Sequence, residues 1–210
     1  MKILYIYILD TLADWEISHI TAELNSKRFF KNNATDISIK TVSYSKSPIK
    51  TMGGIEIVPD VVVDDIVLKK ENILLLPGAD TWSGSKHENI LEKARDFISL
   101  NATVGAICGA TVALANKGML DNKFHTSNGE GYIEMFSPNY RGQKYYMKQA
   151  SVSSKNIITA GSTNSLAWSR DILKKLDVFN SNTLEAWYNY FNTGEEKYFF
   201  DLIETLSPKS

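Results

Sequence analysis

The single cysteine of the chain, Cys108, has the surroundings that best suit nucleophilic chemistry. It follows a short apolar run and precedes small, helix-forming residues, which predicts a sharp turn from a strand into a helix. Such a turn pushes the side chain out of the core and faces the sulfur toward the free N–H groups of the new helix, which favour a thiolate. Ala106, Gly109 and Ala110 are as small as this turn requires. The pattern favours a nucleophile over a thiol that is buried as a small apolar side chain.

Glu16 is the candidate carboxyl partner of Cys108. It lies in the first turn of the helix after the first predicted strand, and the carboxyl ends of neighbouring parallel strands meet at one edge of a sheet. Two adjacent anions repel, so a thiolate next to Glu16 requires the carboxyl to be protonated, and the pair would titrate as a unit. The alternative is a glutamate that is stabilised by the helix dipole and has no further role.

The turn after the next long strand supplies candidate oxyanion and substrate-binding groups. It contains Gly78 and Ala79, and the N–H of Ala79 is expected to pair with that of Gly109 around a developing oxyanion. An ordinary strand-ending turn would have the same residues. Trp82 is expected either to cover the pocket or to pack in the core.

His125 is the candidate proton carrier among the three histidines. It follows the cysteine by seventeen residues and ends a short predicted strand, and the polar residues after it, including Asn128, suit either a site loop or a helix cap. Histidine titrates in the right range for proton transfer, although a histidine beside a turn is equally suited to a structural role.

Strand and helix patterns alternate along most of the chain. The predicted strands are Ile3–Leu9, Asp36–Tyr44, Ile55–Val58 in a hairpin, Asn72–Leu76, Thr103–Ile107, Phe124–Thr126, Tyr145–Ser153 and Asn156–Ala160. The predicted helices are Asp14–Phe30 with Asp14 as its cap, Ser85–Leu100, the stretch from the cysteine turn to Asn116, Gly131–Phe136, Ser165–Leu176, Thr183–Tyr190 and Glu196–Leu206. This alternation predicts an α/β domain with a mainly parallel sheet and helices on both faces.

Length, charge and composition narrow the class of protein. The 210 residues suit a single domain over residues 1–210, and a net charge of −1 gives no reason to expect nucleic acid or a membrane as partner. One cysteine excludes an internal disulfide, and the spacing of the histidines predicts neither a metal site nor a cofactor. No run is long enough to span a bilayer, and the apolar start lacks a cleavage site, so we expect a cytoplasmic protein.

Three short motifs occur in a characteristic order and spacing: Asp14-Trp-Glu16, Leu76-Pro-Gly-Ala79 and Ala106-Ile-Cys-Gly-Ala110. With them the chain resembles the ThiJ/PfpI family of the class I glutamine amidotransferase-like superfamily over about residues 2–176. This family includes the parkinsonism-associated deglycase and intracellular protease-like proteins. The resemblance implies a flavodoxin-like three-layer sandwich, usually dimeric. Carried over by motif, Cys108 is the nucleophile, Glu16 its partner, and the amides of Ala79 and Gly109 the oxyanion donors.

The chain departs from the family at its histidine. Protease-like members carry a histidine directly after the cysteine, where this chain has Gly109, and deglycase-like members carry one about two positions after His125. The late His and Glu of the true amidotransferases are missing from the sequence. These departures argue against peptidase activity and glutamine hydrolysis.

The sequence therefore predicts a cofactor-independent cysteine enzyme acting on a small carbonyl or amide substrate, as a hydrolase, hydratase or deglycase/glyoxalase-like enzyme. One alternative is a non-catalytic thiol redox or stress sensor, or chaperone-like protein, in which Cys108 is oxidised. Another is an amidotransferase-like protein without turnover. We expect a homodimer, and the aromatic-rich helical extension at residues 183–206 is predicted to pack on the domain or to form part of the dimer face.

Overall fold

A seven-stranded sheet forms the centre of the molecule in the computed structural model, which describes residues 2–206. Its strands are β1 (Lys2–Tyr7), β2 (Ile37–Ser43), β5 (Val61–Val62), β6 (Ile73–Leu76), β7 (Thr103–Ile107), β8 (Ser151–Ser154) and β9 (Ile157–Ala160); a separate hairpin consists of β3 (Ile49–Lys50) and β4 (Glu56–Ile57). The order in the sheet is β5-β2-β1-β6-β7-β9-β8. The β8–β9 pair is antiparallel and the other pairs in this sheet are parallel.

Helices cover both faces of the sheet. They are α1 (Asp14–Ser26), α2 (Glu88–Ser99), α3 (Gly109–Asn116), α4 (Tyr132–Phe136), α5 (Ser165–Leu176), α6 (Ser181–Thr193) and α7 (Glu196–Glu204). The chain moves from β1 to β2 in one direction and from β6 to β7 in the other, so right-handed crossovers place α1 and α2 on opposite faces. This arrangement confirms the predicted three-layer, flavodoxin-like α/β fold.

The central strands are buried because helices cover them on both sides. Every residue of β6 and β7 is buried, as continuously apolar parallel strands require. Gly105 in β7 lets a helix approach closely, since a Cβ there would lie 2.7 Å from Leu75 Cδ2 and 3.0 Å from the Trp168 ring of α5. Close packing of α5 on β7 holds the segment that precedes α5 near the end of β7.

Two details of the predicted first helix are wrong. The N-cap is Ala13, and Asp14 is already helical, so the Asp14 carboxylate accepts a hydrogen bond from the Gly53 N–H at 2.7 Å instead of capping its own helix. The helix ends at Ser26, before the predicted Phe30, because Lys27 adopts a left-handed φ of 56° and its N–H bonds the Glu23 carbonyl.

The region after α3 also differs from the prediction. His125 makes a single isolated bridge to Tyr146 in place of the predicted strand Phe124–Thr126. The predicted strand from Tyr145 is shortened to β8, because residues 143–145 form a 3₁₀ turn. The two-residue β5, which pairs with the end of β2, is too short to give a periodic signal and was not predicted.

The two C-terminal helices pack against each other, and α6 also packs on α5. Trp187 of α6 is fully buried, and its indole N–H donates to Glu23 Oε1 on α1 at 3.0 Å. Arg28 pairs with the same buried carboxylate. In α7 Leu202 is buried and Phe200 is exposed, so α6 is anchored to the domain more extensively than α7.

Candidate active site

Cys108 occupies a sharp turn between β7 and α3. The strand ends at Ile107 and the helix begins at Gly109, and Cys108 between them has φ 57° and ψ −127°. Its N–H donates to the Ala160 carbonyl of β9 at 3.0 Å. A non-glycine residue at positive φ carries strain of about 1–3 kcal/mol, so surrounding structure must hold the turn in place. The predicted strand-to-helix turn is present, and the thiol side chain is half-buried.

Glu16 is fully buried in the first turn of α1, at the carboxyl end of the sheet. Its Oε2 accepts a hydrogen bond from the Gly78 N–H at 2.5 Å, and its Oε1 accepts one from the Ser162 hydroxyl at 2.7 Å. Burial raises the pKa of Glu16, and hydrogen bonds from Ser162, Gly78 and Cys108 oppose that rise. These contacts give Glu16 a specific environment that the helix dipole alone does not provide.

Gly78 separates the carboxyl of Glu16 from the turn that carries the thiol. A Cβ at this position would lie 2.7 Å from the Cβ of Cys108 and 2.8 Å from Glu16 Oε2. The two reactive side chains therefore flank the same small space, and only glycine leaves it open. The structure thus brings the carboxyl and the thiol predicted from the sequence together around this loop.

The backbone of Ala79 lies against that of Gly109. A Cβ on Gly109 would lie 3.2 Å from the Ala79 carbonyl oxygen and 3.8 Å from the Ala79 nitrogen. Within residues 2–206 the Ala79 N–H has no hydrogen-bond acceptor, and the Gly109 N–H interacts with the sulfur and lowers the thiol pKa. The Gly109 N–H thus borders the sulfur, and the Ala79 backbone lies next to Gly109.

Asn128 connects Cys108 to the segment after β9. Its Nδ2 donates to Cys108 Sγ at 3.3 Å, and its Oδ1 accepts from the Ser162 N–H at 2.8 Å. Ser162 is not among the predicted site residues, although it lies two residues after the end of β9, the strand beside β7. The strand-end argument that placed Glu16 and Ala79 at the site applies to Ser162 as well.

Burial raises the pKa of the Cys108 thiol, and the nearby Glu16 charge raises it further. Hydrogen bonds from Asn128, Ser162 and the Gly109 N–H lower the pKa, but the net shift is upward. The N–H of Gly109 at the start of α3 thus favours the thiolate, but the surroundings as a whole raise the thiol pKa above its ordinary value.

Trp82 packs beneath the Gly78–Ala79 turn. It is 9% exposed, its indole N–H donates to the Pro77 carbonyl at 2.9 Å, and its ring packs against Tyr7 with a tilt of 41° and 5.6 Å between centroids. Of the two expectations for Trp82, packing in the core is the one the structure shows. Its contact with the site is through the backbone that it supports.

His125 lies outside this constellation, contrary to the prediction. It is completely buried, its Nδ1 bonds the Lys123 carbonyl at 2.6 Å, and its Nε2 bonds the Tyr140 hydroxyl at 2.5 Å. Burial lowers the pKa of His125. Because both ring nitrogens already have partners, His125 holds the segment after α3 in place, and it does not face Cys108.

Metal-binding clusters and membrane-spanning helices are both absent from residues 2–206. No group of three or more His, Cys, Asp or Glu side chains in this range is arranged to hold a metal ion. None of the helices in the same range combines the length and apolar character needed to cross a membrane.

A sequence model of the DJ-1/PfpI family matches residues 1–175. The chain belongs to the DJ-1/PfpI family. The match ends inside α5, so α6 and α7 lie beyond the part of the chain that the family model describes.

Among DJ-1/PfpI relatives, the chain is similar to proteins from several bacteria. It is 42% identical over 203 residues, 97% of each chain, to the "Uncharacterized protease YoaZ" of Bacillus subtilis. The crystal structure of a thiJ/pfpI family protein from Bacillus anthracis superposes with a TM-score of 0.93 at 41% identity and covers 97% of both chains. The DJ-1 superfamily protein Atu0886 of Agrobacterium tumefaciens has a TM-score of 0.80 at 26% identity, with coverage of 92% of this chain and 99% of that one.

Proposed function

We propose that this DJ-1/PfpI family member is a cofactor-independent enzyme in which Cys108 attacks a small carbonyl or amide substrate. The observation that carries the proposal is the placement of Glu16 and Cys108 on either side of Gly78, beside the backbone of Ala79 and Gly109. Acyl transfer needs a nucleophile, a proton acceptor and N–H donors for the oxyanion. This site offers a candidate for each role at the carboxyl edge of the sheet.

Glu16 acts as the general base in this proposal. The Gly78 N–H and the Ser162 hydroxyl both donate to its carboxylate form, and the raised pKa of the thiol keeps a proton on the sulfur at rest. As the sulfur attacks, its proton passes to Glu16, so that the S–H bond breaks while an O–H bond and an S–C bond form. Glu16 has a pKa raised by burial, which makes it a better proton acceptor than an exposed carboxylate.

The remaining steps use the same groups. The negative oxygen that forms on the carbonyl is held by the N–H groups of Ala79 and Gly109. With an amide substrate, Glu16 returns its proton to the leaving amine as the C–N bond breaks. Glu16 then takes a proton from water while the water oxygen bonds to the acyl carbon. When the S–C bond breaks, Glu16 passes this proton to the sulfur, which releases the product and restores the thiol.

Two observations favour small substrates over peptides. The residue after the cysteine is Gly109, and His125 is bonded to Lys123 and Tyr140, so the proposed proton carrier is the buried Glu16. A fully buried carboxyl reaches only what enters the narrow space around Gly78. The name of the Bacillus subtilis relative describes that protein as a protease, and peptides therefore belong among the compounds tested.

The proposal is tested with the purified protein and Cys108→Ser on a panel of glyoxals, small amides and short peptides. We expect turnover of a glyoxal or small amide, at least 10³-fold slower in Cys108→Ser because its hydroxyl is a poorer nucleophile beside a carboxylate. Thr163→Ala, which alters an exposed hydroxyl, serves as the matched control. Turnover that survives in Cys108→Ser would exclude Cys108 as the nucleophile, and no turnover of any compound would contradict the enzyme proposal.

The redox-sensor alternative is less well supported. Sensor thiols are exposed and have a low pKa, whereas burial raises the pKa of the Cys108 thiol. The raised pKa suits a thiol that is activated only when its neighbour accepts the proton.

A further inference from the structure

Ser162 contacts both polar neighbours of the thiol. Its hydroxyl donates to Glu16 Oε1 at 2.7 Å, and its backbone N–H donates to Asn128 Oδ1 at 2.8 Å. Asn128 in turn donates from Nδ2 to Cys108 Sγ at 3.3 Å. One residue at the end of β9 thus fixes the carboxyl on one side of the sulfur and the amide on the other.

The fold places Ser162 firmly. The preceding Gly161 lies so close to the Ser127–Asn128 backbone that a Cβ on it would be 2.7 Å from the Ser127 carbonyl oxygen. The segment after β9 is therefore pressed against the loop that carries Asn128. Backbone contact, in addition to the hydrogen bonds, holds Ser162 beside Asn128.

Trp15 determines the direction of the Ser162 hydroxyl. The Trp15 indole N–H donates to Ser162 Oγ at 3.3 Å, so the oxygen accepts from Trp15 and its own hydrogen points to Glu16. A hydroxyl with one lone pair occupied in this way is a directed donor. The chain of bonds runs from a half-exposed indole, through Ser162, to a fully buried carboxylate.

We propose that Ser162 is a positioning residue that holds the Glu16 carboxyl and the Asn128 amide in place on either side of the sulfur, so that Cys108 can transfer its proton. The inference rests on the proposed function, because it assigns to Glu16 the role of proton acceptor. Ser162 keeps its own proton throughout, and the transferred proton moves from Sγ to the Glu16 carboxylate. The Ser162 hydroxyl lowers the pKa of the Cys108 thiol, as the Asn128 amide does, and this favours departure of the proton from the sulfur.

The rate of alkylation by iodoacetamide as a function of pH tests this inference without any substrate. Cys108 is the only cysteine in the chain, so all alkylation reports on this thiol. In Ser162→Ala we expect the midpoint of the pH profile to rise by about one pH unit, since the hydroxyl that lowers the pKa of the thiol is lost. Ser162→Thr keeps the hydroxyl and should restore the wild-type midpoint, and Thr163→Ala should not move it.

Turnover provides a second measurement. Ser162→Ala should lower kcat about tenfold with little change in KM, because proton transfer is affected and substrate contact is not. Trp15→Phe keeps an aromatic ring but loses the N–H donor at a half-exposed position, so it should move the midpoint upward by a smaller amount even if Ser162→Ala fails to fold. Circular dichroism establishes that each variant is folded.

The outcomes separate this inference from the proposal on which it rests. A midpoint that stays at the wild-type value in both Ser162→Ala and Trp15→Phe, while Glu16→Gln moves it, would overturn the role of Ser162 alone. A midpoint that stays unchanged in Glu16→Gln as well would overturn the proton-sharing pair, and with it the proposed function. Rescue by Ser162→Thr supports the hydroxyl as the group responsible.

Discussion

Glu16 and Cys108 are two ionisable groups whose pKa values are raised for the same reason. Burial disfavours the charged form of each, and the charge of Glu16 raises the pKa of the thiol in addition. Because two adjacent anions repel, the two groups titrate as a coupled pair. Donors from Gly78 and Ser162 favour the carboxylate, so the proton rests on sulfur.

Glu16→Gln should have opposite effects on thiol acidity and on turnover. Removing the negative charge beside the sulfur lowers the pKa of Cys108, so the midpoint of iodoacetamide alkylation should move to lower pH. Turnover should nevertheless fall, by about 10²–10⁴-fold, because the proton acceptor is gone. Both are measured on the same preparation, with Glu134→Gln as an exposed control. An unchanged midpoint together with full activity would show that Glu16 is only a helix residue.

The residues at strand ends were predictable, and the directions of their side chains were not. Cys108 directly follows β7, Ala79 follows the end of β6, and Glu16 lies in the first turn of the helix after β1; parallel pairing brings such positions together. His125 has equally polar neighbours, but its ring is turned into the core by Tyr140, fifteen residues away in the chain. No local pattern encodes that contact. Ser162 obeys the strand-end rule, and its role depends on Asn128, which a separate loop supplies.

The turn from β6 is the element that sets the distance between the two halves of the site. Gly78 donates its N–H to Glu16, and the adjacent Ala79 lies against Gly109 in the thiol turn. Trp82 supports this turn from below through the Pro77 carbonyl. The turn therefore acts as a spacer that sets the separation of Glu16 from Cys108. This separation can be short because Gly78 has no side chain.

Gly78→Ala should destabilise the protein and impair the site together. The new Cβ would meet Cys108 Cβ at 2.7 Å and Glu16 Oε2 at 2.8 Å, so the turn must move away. Such overpacking costs about 1–3 kcal/mol in the free energy of unfolding. Gly129→Ala is the matched control, because a Cβ there has no neighbour within 4 Å. Urea unfolding and alkylation kinetics measure both variants, and equal behaviour of the two would refute the spacer role.

Longer elements were predicted more accurately than short ones. The strand Thr103–Ile107 and the helix Ser165–Leu176 have the predicted bounds, since each repeats its apolar pattern and has a clear end. The errors fall where backbone conformation or distant pairing decides, as at the left-handed Lys27 and in the two-residue β5. Neither feature leaves a periodic signal in the sequence.

At the scale of the whole molecule, all three histidines have lowered pKa values because of burial: His19, His87 and His125. For His87 the pKa falls from 6.5 to about 4. Between these values the unfolded chain binds protons that the folded chain does not, so stability rises with pH through this window and is lost as pH falls through it. Glu16 has the opposite effect on the pH dependence of stability, because its raised pKa makes the folded state bind its proton more tightly than the unfolded state does.

The free energy of unfolding in urea should therefore be lower at pH 5 than at pH 7. Carboxyls with lowered pKa values, such as Asp10 and Asp60, lose their contribution below their ordinary value of 3.8, so they do not account for the change. His87→Gln can retain a hydrogen bond to Tyr7 but does not titrate, and it should reduce the dependence on pH. A wild-type stability that is constant between pH 5 and 7 would contradict the prediction.

The DJ-1/PfpI match ends at residue 175, yet the packing of the chain continues into α6. A chain that ends at residue 180 loses the buried Trp187 and leaves Glu23 with one partner fewer. Loss of one large buried aromatic residue costs about 3–5 kcal/mol, a large part of the 5–15 kcal/mol that stabilises an ordinary domain. A chain that ends at residue 194 loses only α7, in which Leu202 alone is buried.

We therefore expect the chain that ends at residue 180 to unfold at much lower urea concentration than the full chain, and the chain that ends at residue 194 to remain folded with a reactive Cys108. Circular dichroism in urea measures stability, and sedimentation equilibrium of the longer truncation tests the predicted homodimer. A change from dimer to monomer would place the dimer face on α7, whereas an unchanged dimer mass would exclude α7 from it. If both truncations unfold like the full chain, α6 is an appendage and the folding unit ends where the family match does.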